Sequence, residues 1–118
     1  MIYKVRELVG DICITLSAGQ SVYDLIHPVL ARKERVELDF SGVQIVASPF
    51  LNASIGQLLR DVSTIDLNTY LGIKSLPSFV APVLKQVIDN AKLYYGDVHL
   101  SEAVDETVNA ISGNNDAA

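Results

Sequence analysis

The chain predicts an α/β domain on a mixed sheet, and three observations carry that reading. Apolar runs of strand-like alternation are interleaved with longer runs at helical spacing, the pattern of a sheet covered by helices. Two short β-rich segments, residues 2–9 and 12–16, are parted only by Gly10 and Asp11, which predicts an antiparallel pair at the N-terminus. Finally, 118 residues that are 49% apolar and 19% charged suit one domain with its own core, since domains run to about 100–150 residues. The expectation is a sheet of four to five strands and about four helices over residues 1–112, with 113–118 as a disordered tail.

The elements follow in order. Residues 17–20 read as a loop, and Ser21 as the N-cap of a helix whose apolar stripe is Val22, Leu25, Ile26, Val29 and Leu30. Pro28 lies inside that stripe, where the missing amide predicts a kink near His27 or two shorter pieces. Residues 36–40 read as a strand stopped by Ser41 and Gly42, with 43–46 extending it. Ser48 reads as the cap of a second helix with Pro49 at its first position, and Leu51, Ile55, Leu58, Leu59 and Val62 form its apolar face. Residues 61–68 read as a polar connection, and 69–73 as a strand weakened by Gly72. A third helix lies between Pro77 and Tyr95, turning Val80, Val83, Leu84, Val87, Ile88, Ala91 and Tyr95 inward. Residues 97–100 read as a last short strand and Ser101 as the cap of a closing helix.

Charge narrows the function. Residues 1–96 hold nine basic and nine acidic side chains, so the net charge of −5 comes wholly from the five carboxylates after Gly96. Neither part has the clustered positive charge that a phosphate backbone requires, which argues against nucleic acid as a partner. The single Cys13 cannot form an internal disulfide and sits in an alternating run, so it reads as a small strand residue in a reducing, cytoplasmic setting. The N-terminus lacks the apolar core of a signal peptide. Residues 41–59 carry no charge over roughly a membrane-span length, but their polar residues and change of period favour a buried strand running into a helix.

Catalytic templates fail in turn. There is no glycine-rich phosphate loop and no Gly-x-Ser-x-Gly elbow. His27 and His99 have no cysteine or carboxylate cluster at metal-ligand spacing, and no cofactor is implied. Asp39 is one candidate: it lies near a strand's C-terminal end, where open α/β sheets place ligands, or it accepts amides of the Ser41–Gly42 turn. Ser48 is the sharper one. A hydroxyl at a helix start lies beside free backbone N–H groups, so it serves as a cap worth about 1 kcal/mol or as a phosphate acceptor. Phe50 falls off the apolar stripe and is either a partly exposed contact or packed on the sheet edge; Asn52 lies one turn on from Ser48.

The run Val36-Glu37-Leu38-Asp39-Phe40-Ser41-Gly42-Val43, followed by Ile45-Val46-Ala47-Ser48-Pro49-Phe50-Leu51, resembles the central strand–loop–helix of STAS domains. It is closest to bacterial and phage STAS-like domains of unknown function, and the later strand, proline-containing loop and long helix fit in order. The resemblance implies a STAS-like fold with helices packed mainly on one face. It also implies a non-catalytic regulatory module related to anti-sigma-factor antagonists, docking on a histidine-kinase-like ATPase through Asp39, Ser48, Pro49, Phe50 and Asn52. The usual motif at the helix start is Asp-Ser-Ser-Gly with the second serine phosphorylated; here Ala47-Ser48-Pro49-Phe50 keeps one serine and places Pro49 at the acceptor position. The alternative expectation is a small-molecule or nucleotide site at the strand ends near Asp39. The open edge of the N-terminal hairpin offers a further expectation, pairing with a second copy.

Overall fold

The computed structural model describes the backbone of residues 1–104 and the side chains of residues 1–95. The elements are β1 (Ile2–Lys4), α1 (Val5–Val9), β2 (Ile12–Cys13), α2 (Leu16–Ala31), β3 (Val36–Asp39), β4 (Ile45–Val46) and α3 (Ser48–Ser54). A 3-10 turn (Gly56–Arg60) leads to α4 (Thr64–Tyr70), β5 (Leu71–Lys74), a second 3-10 turn (Ser78–Val80) and α5 (Ala81–Val104). The strands form two small sheets, one of order β1-β3-β5 and one of β2-β4, and every pairing is parallel.

The antiparallel N-terminal pair is therefore corrected. Gly10 does adopt a positive φ of 97°, as a turn glycine would, but its N–H donates to the Arg6 carbonyl at 2.9 Å. That bond closes the last turn of α1, so the glycine ends a helix and no hairpin forms. The chain leaves β1 at Val5, which is fully buried, and β2 joins a different sheet. An edge belonging to an N-terminal hairpin falls with the hairpin.

Parallel strands in sequential order imply crossovers that all step the same way, and right-handed crossovers then put the intervening helices on one face. The side chains agree. Tyr3, Val36, Leu38, Leu71 and Ile73 turn toward the core, while Ile2, Lys4 and Lys74 on the opposite face are exposed.

α2 begins earlier than the sequence reading places it. Thr15, rather than Ser21, is the N-cap, its Oγ1 accepting from the Ala18 amide at 3.1 Å. This draws residues 17–20 into the helix and buries Gly19. Leu25, expected on the inner stripe, is 43% exposed, and Tyr23 takes the inward position. Pro28 lies within a single helix, not between two pieces. It removes only the bond to Asp24, whose residue is exposed and can turn its carbonyl to water.

Gly19 sets the next layer. A Cβ there would collide with the Phe50 carbonyl oxygen and lie 2.8 Å from Ala53 Cβ, so α3 packs on α2 at a distance only glycine permits. Phe50, Leu51, Ile55, Leu58 and Leu59 follow into the core, and the buried Ser54 is satisfied by donating to the Phe50 carbonyl at 2.8 Å. α5 closes the other side: Val87 Cγ1 would stand 3.1 Å from a Cβ on Gly56, with Ala91 beside it. Val80, Val87 and Ala91 are buried and Val83, Leu84, Ile88 and Tyr95 pack partly against the core, in line with the predicted inner face.

Two further expectations change. The connection read at residues 61–68 gives way to α4, which starts within it at Thr64 and runs to Tyr70, capped by Ser63, whose Oγ accepts from the Asp66 amide at 3.0 Å, and anchored by buried Leu67. The strand after it begins at Leu71, two residues later than read. α5 runs straight through residues 97–100, so neither a strand there nor a helix start at Ser101 is present. The remainder of the closing helix and the 113–118 tail lie outside the described residues.

Gly19→Ala tests the α2–α3 contact. Alanine gains up to about 1 kcal/mol of helix propensity, but overpacking against a backbone carbonyl costs about 1–3 kcal/mol or more. The expected outcome is net destabilisation, read as a lower urea midpoint; an unchanged or raised midpoint contradicts the close approach.

Candidate functional site

The two sequence-predicted regions end up on different sheets. Asp39 closes β3, with Lys4 and Lys74 at the same register position on its two neighbouring strands. Its residue is only 9% exposed, and one carboxylate oxygen accepts both the Ser41 amide at 2.9 Å and the Ser41 hydroxyl at 2.6 Å. The turn reading of Asp39 is thus the one the geometry realises. The Ser41 hydroxyl and then its amide hold the carboxyl below its ordinary value of 3.8, with Lys74 and Lys4 adding to this against the opposing effect of burial. Sequential strand order leaves no reversal of direction in this sheet, and hence no switch-point crevice of the kind that holds ligands in doubly wound folds.

Ser48 and its neighbours follow β4. The N-cap of α3 is Ala47, which has no side chain to cap with; Ser48 is the first helical residue and makes no capping bond. Ser48 as a cap is thereby corrected, because the Ala47 amide bonds to the Cys13 carbonyl at 2.9 Å and holds residue 47 in extended geometry at the end of the small sheet. Ser48, Pro49 and Asn52 are exposed. Phe50 is 1% exposed, so a contact role for its ring is also corrected: the ring is part of the core, and the Phe50 backbone carbonyl lies against Gly19 in the α2–α3 interface. Truncating such a buried phenylalanine costs about 3–5 kcal/mol. A charged residue there would unfold the domain rather than report on docking. No hydrogen bond or ion pair among the described residues joins Asp39 to Ser48, Pro49 or Asn52.

Beside the helix start the structure exposes what the sequence reading passed over. β2 and β4 pair Ile12 with Ile45 on the open face and Cys13 with Val46 on the buried one. Ile12 is 51% exposed and Ile45 48%, and Ile14 and Leu16, next along the chain, are exposed as well. The alternation of residues 12–16 was the available signal; that both inner and outer positions are apolar marks a face needing cover. Cys13 lies on the inner side, where burial and then the Asp11 charge push its thiol up and away from the reactive thiolate. An open groove of about 380 Å³ runs along α5, floored by Leu76, Leu84 and Ile88, and shares no lining residue with this surface.

His27 contacts Asp61, and His99 has a side chain outside the described residues. Among the described residues no three His, Cys, Asp or Glu come together in a group that could hold a metal ion. No helix among the described residues is long and apolar enough to cross a membrane.

A small parallel sheet with helices on one face, a Ser41 turn closing its central strand and an exposed helix start after β4 make this an α/β module. The model of the family described as a STAS-like domain of unknown function (DUF4325) matches residues 18–78, just over half of the chain, and the chain belongs to that family. The matched stretch contains nearly all of α2 and continues through β3, β4, α3 and α4 to β5, including Asp39 and Ser48. No curated protein and no solved structure was matched.

The Asp39–Ser41 bonds yield a signed prediction. A carboxyl held below its ordinary value contributes stability that is present above 3.8 and is lost as pH falls through its lower folded value. Wild type should therefore exceed Ser41→Ala in denaturant midpoint at neutral pH, and the gap should shrink below pH 3.8. A gap that is constant through this window would show that Ser41 acts without the Asp39 charge.

Proposed function

We propose that this chain is a non-catalytic regulatory module that docks on another protein through the exposed start of α3 and the isoleucine face beside it. The observation carrying this reading is the Ile12–Ile45 pair, two large apolar side chains about half exposed and adjacent across the β2–β4 ladder. Burying them removes apolar area from water, worth about 25 cal/mol per Å² before association costs. Ser48, Pro49 and Asn52, exposed on the helix that follows β4 in the chain, add polar and shape features. The family is one of unknown function, and it is the sequence resemblance to anti-sigma-factor antagonists that suggests a histidine-kinase-like ATPase as partner. With Pro49 at the usual acceptor position, docking does not require a phosphate on the helix.

Binding of the purified chain to such an ATPase, followed by calorimetry, provides the test. Ile45→Lys is expected to weaken binding by at least about tenfold, equal to 1.4 kcal/mol, while leaving the thermal midpoint within a few degrees. Undiminished affinity would remove this face from consideration. The competing reading, a nucleotide or anion site near Asp39, predicts a raised thermal midpoint with such ligands, whereas the docking reading predicts a flat response.

A further inference from the structure

β2 has one neighbour, β4, and its other edge is open. The Ile45 and Ala47 amides donate to the Asp11 and Cys13 carbonyls, at 3.2 and 2.9 Å, so β4 takes up the backbone of residues 11 and 13. Alternation along a strand then turns the N–H and C=O groups of Ile12 and Ile14 the other way. No hydrogen bond among the described residues engages these four groups. An isolated two-stranded ladder is marginal in water, whereas three or more strands with an apolar face hold together.

Edges that stay unpaired are ordinarily guarded by a lysine, a proline or a bulge. Both outer strands of the three-stranded sheet carry such a guard, Lys4 on β1 and Lys74 on β5, and both lysines are exposed. Residues 12–16, Ile-Cys-Ile-Thr-Leu, hold neither a charge nor a proline. Ile12, Ile14 and Leu16 are all exposed, Ile14 by 45%. β2 thus joins an unguarded edge to an exposed apolar face.

We propose that β2 pairs with β2 of a second copy of this chain, antiparallel about a twofold axis at Cys13, so that two β2–β4 ladders join into one four-stranded sheet. The free groups set the register: Ile12 pairs with Ile14 of the second copy and Ile14 with its Ile12, each pair exchanging two backbone hydrogen bonds. Ile45, Ile12 and the second copy's Ile14 then form one apolar row on the outer face. Charge also suits a second copy. Asp11 stands opposite the second copy's Thr15, the N-cap of its 16-residue α2, and a carboxylate is favoured at the positive end of a helix. The two Asp11 residues are about 14 Å apart along the strands, beyond the Debye length in physiological salt. The inference stands on the open edge and not on the docking reading, although both use Ile12, so a second copy and a docked ATPase exclude each other.

Sedimentation of the purified chain alone, over about 1 to 500 μM, provides the test, and it involves no ATPase, so its result is independent of the docking reading. Wild type is expected to pass from one copy toward two as concentration rises. Ile14→Lys is expected to weaken self-association by at least about tenfold, because a lysine guards the edge and opposes the second copy's Ile12. Ile2→Lys, at an exposed isoleucine on the other sheet, is expected to associate as wild type does. Wild type that stays at one copy throughout overturns the proposal, as does a dimer that Ile14→Lys leaves intact. Should Ile14→Lys fail to fold, amide hydrogen exchange of wild type decides. The Ile12 and Ile14 amides are expected to exchange more slowly as the chain associates, and unchanged exchange in the dimer overturns this pairing.

Discussion

The approach of α3 to α2 at Gly19 is the contact through which the layers of this domain are joined. α2 lies on the three-stranded sheet, α3 lies on α2, and α5 lies on α3 and on the turn after it. A side chain at residue 19 would meet a backbone carbonyl, which has no rotamer to yield, so the whole second layer would have to move out. The same contact explains why Phe50 is inside. With the backbones so close, the first turn of α3 presents its aromatic ring inward and leaves Ser48, Pro49 and Asn52 to the solvent.

A second constraint comes from the sheet. Parallel sheets are ordinarily covered on both faces, yet here one face carries Ile2, Lys4 and Lys74 in the open. The arrangement is tolerable because the Lys4–Asp39–Lys74 row places opposite charges side by side, and because Ser41 satisfies the least exposed of the three. The small β2–β4 sheet has no such provision. Its outer face is isoleucine, and that asymmetry is the reason the proposed docking surface lies there rather than on the charged face.

Much of the inner packing was legible along the chain. The Val36–Leu38–Phe40 alternation, the Leu51/Ile55/Leu58 spacing and the Val80 to Ala91 stripe each bury as their periods require. Local caps were harder to read. Thr15 stands at the cap of α2 in place of Ser21, and Ala47 at that of α3 in place of Ser48, because a cap depends on extended geometry at its own residue, which for Ala47 is held by its pairing with Cys13. Gly10 shows the same limit: a positive φ suits a hairpin and a helix end equally, and only the Arg6 carbonyl distinguishes them.

The sequence by itself determined the α/β class, the family and most residues of the core, since periodicity and volume are local properties of the chain. Tertiary structure decided which strands pair and in which direction, whether Phe50 or Ile45 meets the solvent, and that His27 finds Asp61 across 34 residues of chain. Those outcomes depend on how closely two backbones can approach and on which carbonyl an amide reaches, quantities that exist only once the layers are stacked.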